Sequence, residues 1–366
     1  MLLDTSVMTF NQPIAWNWLV QFCILATALL IGNILRTKIP FLRKSLIPSA
    51  LIGGLLLLVF KAIPGCKDLI NKPVMEIVTY HALGLGFVAL ALKNNKIESK
   101  STPMKVIETG ALTASTYVIQ GIVGLIISIL FFYFGKKLFY AAGLLLPMGY
   151  GQGPGQALNF GKIFTGWAAK QGIDFPGADF GLSIAATGFI VGSIVGVIYM
   201  NILRRKGVLS RQKIVEAQMN KLEDYEGKGE IPDAESIDKL SVQICMVLFV
   251  YFLVFLFTNW IQGMELGDFG TNTLKPMLWG FNFLIGKLFG ILFKWLLGRF
   301  KKAKLMSREY INNYMLNRIS GFCFDIMIVA GTAAINFNEF GKFVLPFILF
   351  VTLGAFVTFV TVLWIS

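Results

Sequence analysis

Charge, histidine and paired cysteines are what this sequence has least of. Only 14% of its 366 residues are charged and 55% are hydrophobic, whereas a soluble domain carries about 25% charged residues. That balance argues against an ordinary soluble domain and reads as a polytopic protein of the lipid bilayer. His81 is the single histidine, and none of the four cysteines stands in a C-x-x-C pair, so a Cys/His zinc centre is not expected. With no paired carboxylates either, the chain offers no credible catalytic set. An enzyme is not expected, and neither is an organic cofactor. Lys and Arg are missing from residues 1–16, and no A-x-A-like site follows the first apolar run. Both absences favour an uncleaved first span with its N-terminus outside.

What is present is a series of apolar runs. A helix needs about 20 mostly apolar residues to cross a bilayer. Clean candidates are 17–35, 111–134, 178–203, 240–261, 275–297 and 341–365. Three further runs are imperfect: 46–60 with Pro48 and Gly53-Gly54, 74–92 with Glu76, His81, Gly84 and Gly86, and 314–335 with Arg318, Asp325 and Gly331. The formal net charge of +13 is confined largely to short loops, where it sets topology and does not point to nucleic acid. If the segment 138–163 enters and leaves on one side, 21 basic residues fall in the inner loops 36–45, 93–105, 204–239 and 298–308, and 9 fall outside. Making that segment a full crossing would move the eight basic residues of 204–239 outside, so a re-entrant hairpin is the better reading.

The expected fold class is therefore an all-α integral membrane protein, an inverted-repeat secondary-transporter fold with broken helices and a re-entrant hairpin. Its first unit is 1–203, with five spans and the hairpin. The stretch 204–239 holds eight basic and eight acidic residues and reads as a hydrophilic cytoplasmic linker. Residues 240–366 form the second unit, with four spans. Five crossings before the linker make the second half start from the opposite side, which is the arithmetic of an inverted repeat. Each half begins with two spans, then a broken polar one (74–92, 314–335), then a long clean one. The repeat calls for a second hairpin and a tenth span of very roughly 60 residues, so the sequence is expected to be truncated.

The stretch 149–164, "GYGQGPGQALNFGKIF", is the least helical of the chain. Irregular backbone at membrane depth is tolerated only inside protein or beside water. Gly151, Gly153, Pro154 and Gly155 let the chain turn, and Gln152, Gln156 and Asn159 both donate and accept hydrogen bonds. These seven are the candidate substrate contacts for a small anionic or zwitterionic ligand. The alternative is close packing of helices through glycine. Thr187 is a further candidate, unless its hydroxyl satisfies its own helix. Asp325, near the centre of its run, costs about 2.5–3.5 kcal/mol to insert and needs a partner, for which Lys287 is the natural choice, or a role in ion coupling. Small residues follow it, and at Gly331 and Thr332 the helix is expected to unwind. His81 is a possible proton-coupling group, with a packing role as the alternative.

Four stretches, "LIPSALIGGLLLL" (46–58), "ALGLGFVALALK" (82–93), "AAGLLLPMGYGQGPGQALNFGKIF" (141–164) and "AATGFIVGSIVG" (185–196), are similar in order and spacing to the bacterial sodium/glutamate symporters. The resemblance covers nearly the whole chain and is most specific at the hairpin. It implies ten spans in two inverted halves, each with a glycine-rich hairpin, in the bacterial cytoplasmic membrane. It also implies sodium as the coupling ion, glutamate as the substrate, a homodimer and elevator-like movement. Two departures stand out. The family's hairpin reads like G-G-H-G-T, where this chain has Gly151-Gln152-Gly153-Pro154-Gly155, which bears on glutamate specificity. The second hairpin and last span are also missing. A passive channel and a non-transporting fragment are the other readings that the sequence leaves open.

Overall fold

The computed structural model describes residues 13–94, 103–136, 138–205, 238–306, 308–337 and 341–365. Residues 1–12 and most of the expected linker lie outside them. The described residues form helices and no strand: α1 (Pro13–Lys38), α2 (Pro40–Lys44), α3 (Ser49–Ala62), α4 (Lys72–Leu92), α5 (Pro103–Phe131), α6 (Leu145–Gln152), α7 (Pro154–Lys170), α8 (Gly177–Arg205), α9 (Lys239–Gln262), α10 (Lys275–Gly280), α11 (Asn282–Lys302), α12 (Asn313–Ala334) and α13 (Val344–Ile365). Among them α1, α4, α5, α8, α9 and α13 are long and apolar enough to cross a membrane, and the bent pair Gly267–Gly280 with Asn282–Lys302 makes a seventh such unit. By helix length and composition this is a multi-pass membrane protein.

Three spans differ from expectation. The run 275–297 is not one clean helix: it bends by 64° between Gly280 and Asn282. Conversely, α4 and α12 are continuous, although glycines and polar residues had marked both as broken. The reason is that an intact helix satisfies its own backbone in lipid, while the glycines are used for close approach. A Cβ at Gly84 would stand 2.6 Å from the ring of Tyr251, and one at Gly86 2.6 Å from the ring of Phe324. Lys287 does not pair with Asp325. It is exposed on α11, which meets α4 at Gly84, Val88 and Ala91, whereas α12 meets α4 at Gly86.

The antiparallel helices α4 and α12 form the centre, and the packing around them falls into matched pairs. Helix α3 lies on α12 as α11 lies on α4, α1 lies on α3 as α9 lies on α11, and α5 lies on α13. The match extends to single hydrogen bonds. Gln21 of α1 donates from Nε2 to the Leu69 carbonyl (2.8 Å) and accepts the Asn71 N–H (3.1 Å). Gln243 of α9 donates to the Tyr310 carbonyl (2.6 Å) and accepts the Asn312 N–H (3.2 Å). Asn71 and Asn312 in turn cap α4 and α12, accepting from the N–H of Val74 (3.2 Å) and Met315 (2.9 Å). At the opposite helix ends, Lys61 of α3 donates to the Ile335 carbonyl (3.3 Å) after α12, and Lys294 of α11 donates to the Lys93 carbonyl (2.6 Å) after α4. Such bonds use up the carbonyls a helix end leaves open.

We call the end of the bundle where α1 starts the top. The Gln21 clamp and the Lys72–Asp179 ion pair (2.8 Å) lie there; the Gln243 clamp and the Lys301–Glu309 pair (3.1 Å) lie at the bottom. Gln21 and Gln243 are almost fully buried. Replacing either by Ala leaves a buried backbone donor and acceptor unmatched, and should lower stability by about 1–3 kcal/mol. Because the clamps sit at opposite ends, the double variant should lose the sum to within about 0.5 kcal/mol. Denaturant unfolding in detergent micelles checks both; an unchanged midpoint for Gln243→Ala would remove the clamp as a fold determinant.

Candidate functional site

The hairpin is built around one residue. Gly153 has φ 82° and ψ −170°, a conformation essentially restricted to glycine. Its N–H bonds to the Gly149 carbonyl (3.2 Å) and closes α6, while its own carbonyl takes the Ala157 N–H (3.2 Å) and opens α7. Pro154 follows at the first helical position, where no N–H is needed. The arms then return to the same end. Phe139, before α6, packs against Phe164 and stacks on Phe175 at centroid distances of 5.7 and 6.1 Å, and the Tyr140 hydroxyl lies 3.3 Å from Gln171 Nε2. The tip therefore sits deep between helices, and both openings are at the top. Apart from Gly153 the arms are helical. Most of the hairpin's glycines serve packing: a Cβ at Gly149 would meet Ile184 at 2.8 Å, and one at Gly155 would meet Met327 at 2.8 Å and Leu83 at 2.9 Å.

Two cavities approach this tip from opposite ends; the lower touches it, and the upper stops at Leu158 and Asn159 of α7. The lower, about 420 Å³, is lined by Leu46 and Pro48 before α3, by residues 149–153, by Gly188 and Ser193 of α8, and by Met327 of α12. Gly151 and Gln152 are exposed into it, and the Tyr117 hydroxyl donates to the Gly151 carbonyl (2.9 Å). The upper cavity, about 480 Å³, is lined by Glu76, Tyr80 and His81 of α4, by Asn159 and Lys162 of α7, and by Trp279 and Gly280 of α10. Across it Lys162 pairs with Glu76 (2.6 Å), whose side chain is only 11% exposed. Between the cavities Pro154, Gly155 and Gln156 are buried. A Cβ at Gly331 would stand 2.8 Å from Pro154, so this seam is closed by direct helix contact.

The expected residues thus separate into groups. Gly151, Gln152 and Gly153 line the lower cavity; Pro154, Gly155, Gln156 and Gly331 form the seam; His81 and Asn159 face the upper cavity. Asn159 Nδ2 donates to the Gly280 carbonyl (2.8 Å), and His81 Nδ1 lies 2.9 Å from the Tyr251 hydroxyl. The other residues are elsewhere. Thr187 bonds the Ser183 carbonyl of its own helix. The helix does not unwind at Gly331 and Thr332; Thr332 is buried against Gly54 of α3. Asp325 shares the face of α12 on which Phe322 meets Phe22 of α1 and Thr332 meets Gly54. It makes no hydrogen bond or ion pair among the described residues.

Sequence reasoning missed the second break and its surroundings. Asn282 Nδ2 donates to the Tyr251 hydroxyl (2.9 Å), and the Tyr80 hydroxyl donates to the Trp279 carbonyl (2.8 Å). The available signal was Gly280 and Asn282 standing inside an otherwise aromatic run, with Pro276 just before it.

The chain matches no protein-family model, no curated protein and no solved structure.

The two-cavity arrangement is open to a direct check. With the four native cysteines replaced by Ser, Lys162→Cys in sealed vesicles should react with a membrane-impermeant maleimide from the top only, and Gln152→Cys from the bottom only. Labelling of both from one side would contradict a closed seam.

Proposed function

We propose that this protein is a sodium-coupled secondary transporter, a symporter that carries glutamate or a related small carboxylate or amino acid across the bacterial cytoplasmic membrane. The observation that carries this reading is the pair of cavities that approach one hairpin tip from opposite ends and stop at a buried seam. A carrier exposes its site to one side at a time, and a seam of van der Waals contacts between a hairpin and α12 is a barrier that a movement can open. A passive pore would need a continuous path, and the seam interrupts it.

The matched packing supports an inverted-repeat fold. Exchanging α1 with α9, α3 with α11 and α4 with α12 maps the Gln21 clamp onto the Gln243 clamp and the Lys61 cap onto the Lys294 cap. The same exchange relates the cavities, since the α2–α3 connection lines the lower one and the α10–α11 bend lines the upper. Transporters of this design hold substrate near the membrane middle, at interrupted helices. The bottom gathers Arg36, Lys38, Arg43, Lys44, Lys93, Arg299, Lys301 and Lys302 at helix ends, which supports a cytoplasmic bottom and an outside N-terminus. Sodium, glutamate and a homodimer rest on the family resemblance alone.

Purified protein in liposomes should accumulate radiolabelled substrate from a panel of L-glutamate, succinate and neutral amino acids. Uptake should saturate, exchange in counterflow and collapse when the inward sodium gradient is dissipated. Uptake indifferent to that gradient would overturn sodium coupling, and a non-saturating current would replace the carrier with a pore.

A further inference from the structure

Among the described residues, five buried side-chain polar atoms have no hydrogen-bond partner, and three of them belong to two residues: Gln156 Nε2, Gln156 Oε1 and Asn282 Oδ1. Gln156 is 1% exposed and Asn282 3%. An unmatched amide at such burial is expensive to keep, because each group loses water and receives nothing in return. These two also share one location. Gln156 lies in the same turns of α7 as Gly155, Asn159 and Phe160. Gly155 faces Leu83, Asn159 holds the Gly280 carbonyl, and Phe160 meets Phe281 at a centroid distance of 5.4 Å. Asn282 follows Phe281 and lies against Gly84, the neighbour of Leu83. Both amides therefore fall within the frame Leu83, Gly84, Gly280 and Phe281, directly beneath the floor of the upper cavity.

The frame has a definite chemistry. It offers two free carbonyl-type acceptors and one free amide donor, and no residue of it carries a formal charge. The ionisable groups around it are matched or turned away: Glu76 and Lys162 pair with each other above it, His81 is held by the Tyr251 hydroxyl (2.9 Å), and Asp325 faces α1 and α3. A ligand with a net charge would find no counter-charge here, and an uncompensated charge at membrane depth is costly. We propose that Gln156 and Asn282 form an occluded seat for a small polar ligand without net charge, whose head carries both hydrogen-bond donors and an acceptor, such as the zwitterionic head of a neutral amino acid. This rests on the transport reading and narrows its substrate, away from glutamate.

The test uses the full chain in lipid nanodiscs, titrated calorimetrically with L-serine, L-glutamine, L-glutamate and succinate. At least one neutral amino acid should bind about ten-fold or more tighter than L-glutamate and succinate, a difference of about 1.4 kcal/mol. Gln156→Leu should weaken that binding by about ten-fold or more while raising the melting temperature of the ligand-free protein, because it removes an unmatched buried amide. Thr187→Ala, whose hydroxyl bonds only the Ser183 carbonyl of its own helix, should keep affinity within about two-fold. Binding of glutamate or succinate at least as tight as the neutral amino acids would overturn the proposal. So would a Gln156→Leu variant that melts lower and binds unchanged, or a seat that takes up only water and none of the probes. Sodium-driven uptake with affinities unmoved by Gln156→Leu would defeat the seat and leave the transport reading standing. Binding that follows the expected pattern in a protein without sodium-driven uptake would support the seat and defeat the transport reading.

Discussion

Backbone polar groups cannot be left open in hydrocarbon, and much of this structure follows from that constraint. Among the described residues helices are interrupted at depth twice, at Gly153 and at Phe281, and at both places a side chain from another element reaches in. Tyr117 takes the Gly151 carbonyl, Asn159 the Gly280 carbonyl and Tyr80 the Trp279 carbonyl. Lys61 and Lys294 do the same for the ends of α12 and α4, across 274 and 201 residues of sequence. Each such bond ties together elements remote in the chain, and together they fix α4 and α12 at the centre.

Close packing supplies the rest. Without a hydrophobic gain from leaving water, membrane helices associate through van der Waals contact, which small residues maximise. The approaches of Gly124 to Gly143, Gly161 to Gly177 and Gly32 to Gly53 are too near for any side chain. They bind α5 to the start of the hairpin, α7 to α8, and α1 to α3. The contacts of the tip with Leu83, Met327 and Gly331 are of another kind, glycine or proline against a flexible or small partner. A contact of that sort can part without stripping a hydrogen bond, whereas the polar ties at both ends of α4 and α12 cannot.

The sequence made the spans legible because about 20 apolar residues is a strong signal. The hairpin was legible because glycine and proline crowd within seven positions. The continuity of α4 and α12 was not, since glycine's helix penalty of about 1 kcal/mol reads as a break until its packing partner is known. The bend at Phe281 was hidden for the opposite reason: Trp279, Phe281 and Phe283 keep the run hydrophobic through the interruption. Gln21 and Gln243 were invisible because each is one amide in a long apolar helix, with its partner carbonyl 48 or 67 residues away. The pairing of Lys287 with Asp325 failed because depth along a span says nothing about which face a residue occupies.

The proposed repeat also explains why the cavities resemble one another in construction and differ in chemistry. Each is bounded by the interrupted second element of one half, but the single described hairpin presents different arms to them. The lower cavity receives α6, with Tyr150, Gln152 and the backbone of 149–153; the upper receives α7, with Asn159 and Lys162. A ligand coming from the top would meet an ion pair before the proposed neutral amide seat, and one from the bottom would meet neutral groups only. Glu76 is much the less exposed partner of that ion pair, so separating α7 from α4 there strands a nearly buried carboxylate unless something replaces Lys162. The upper side is therefore the costlier one to open unaided, and the asymmetry arises from which arm of one hairpin carries the lysine.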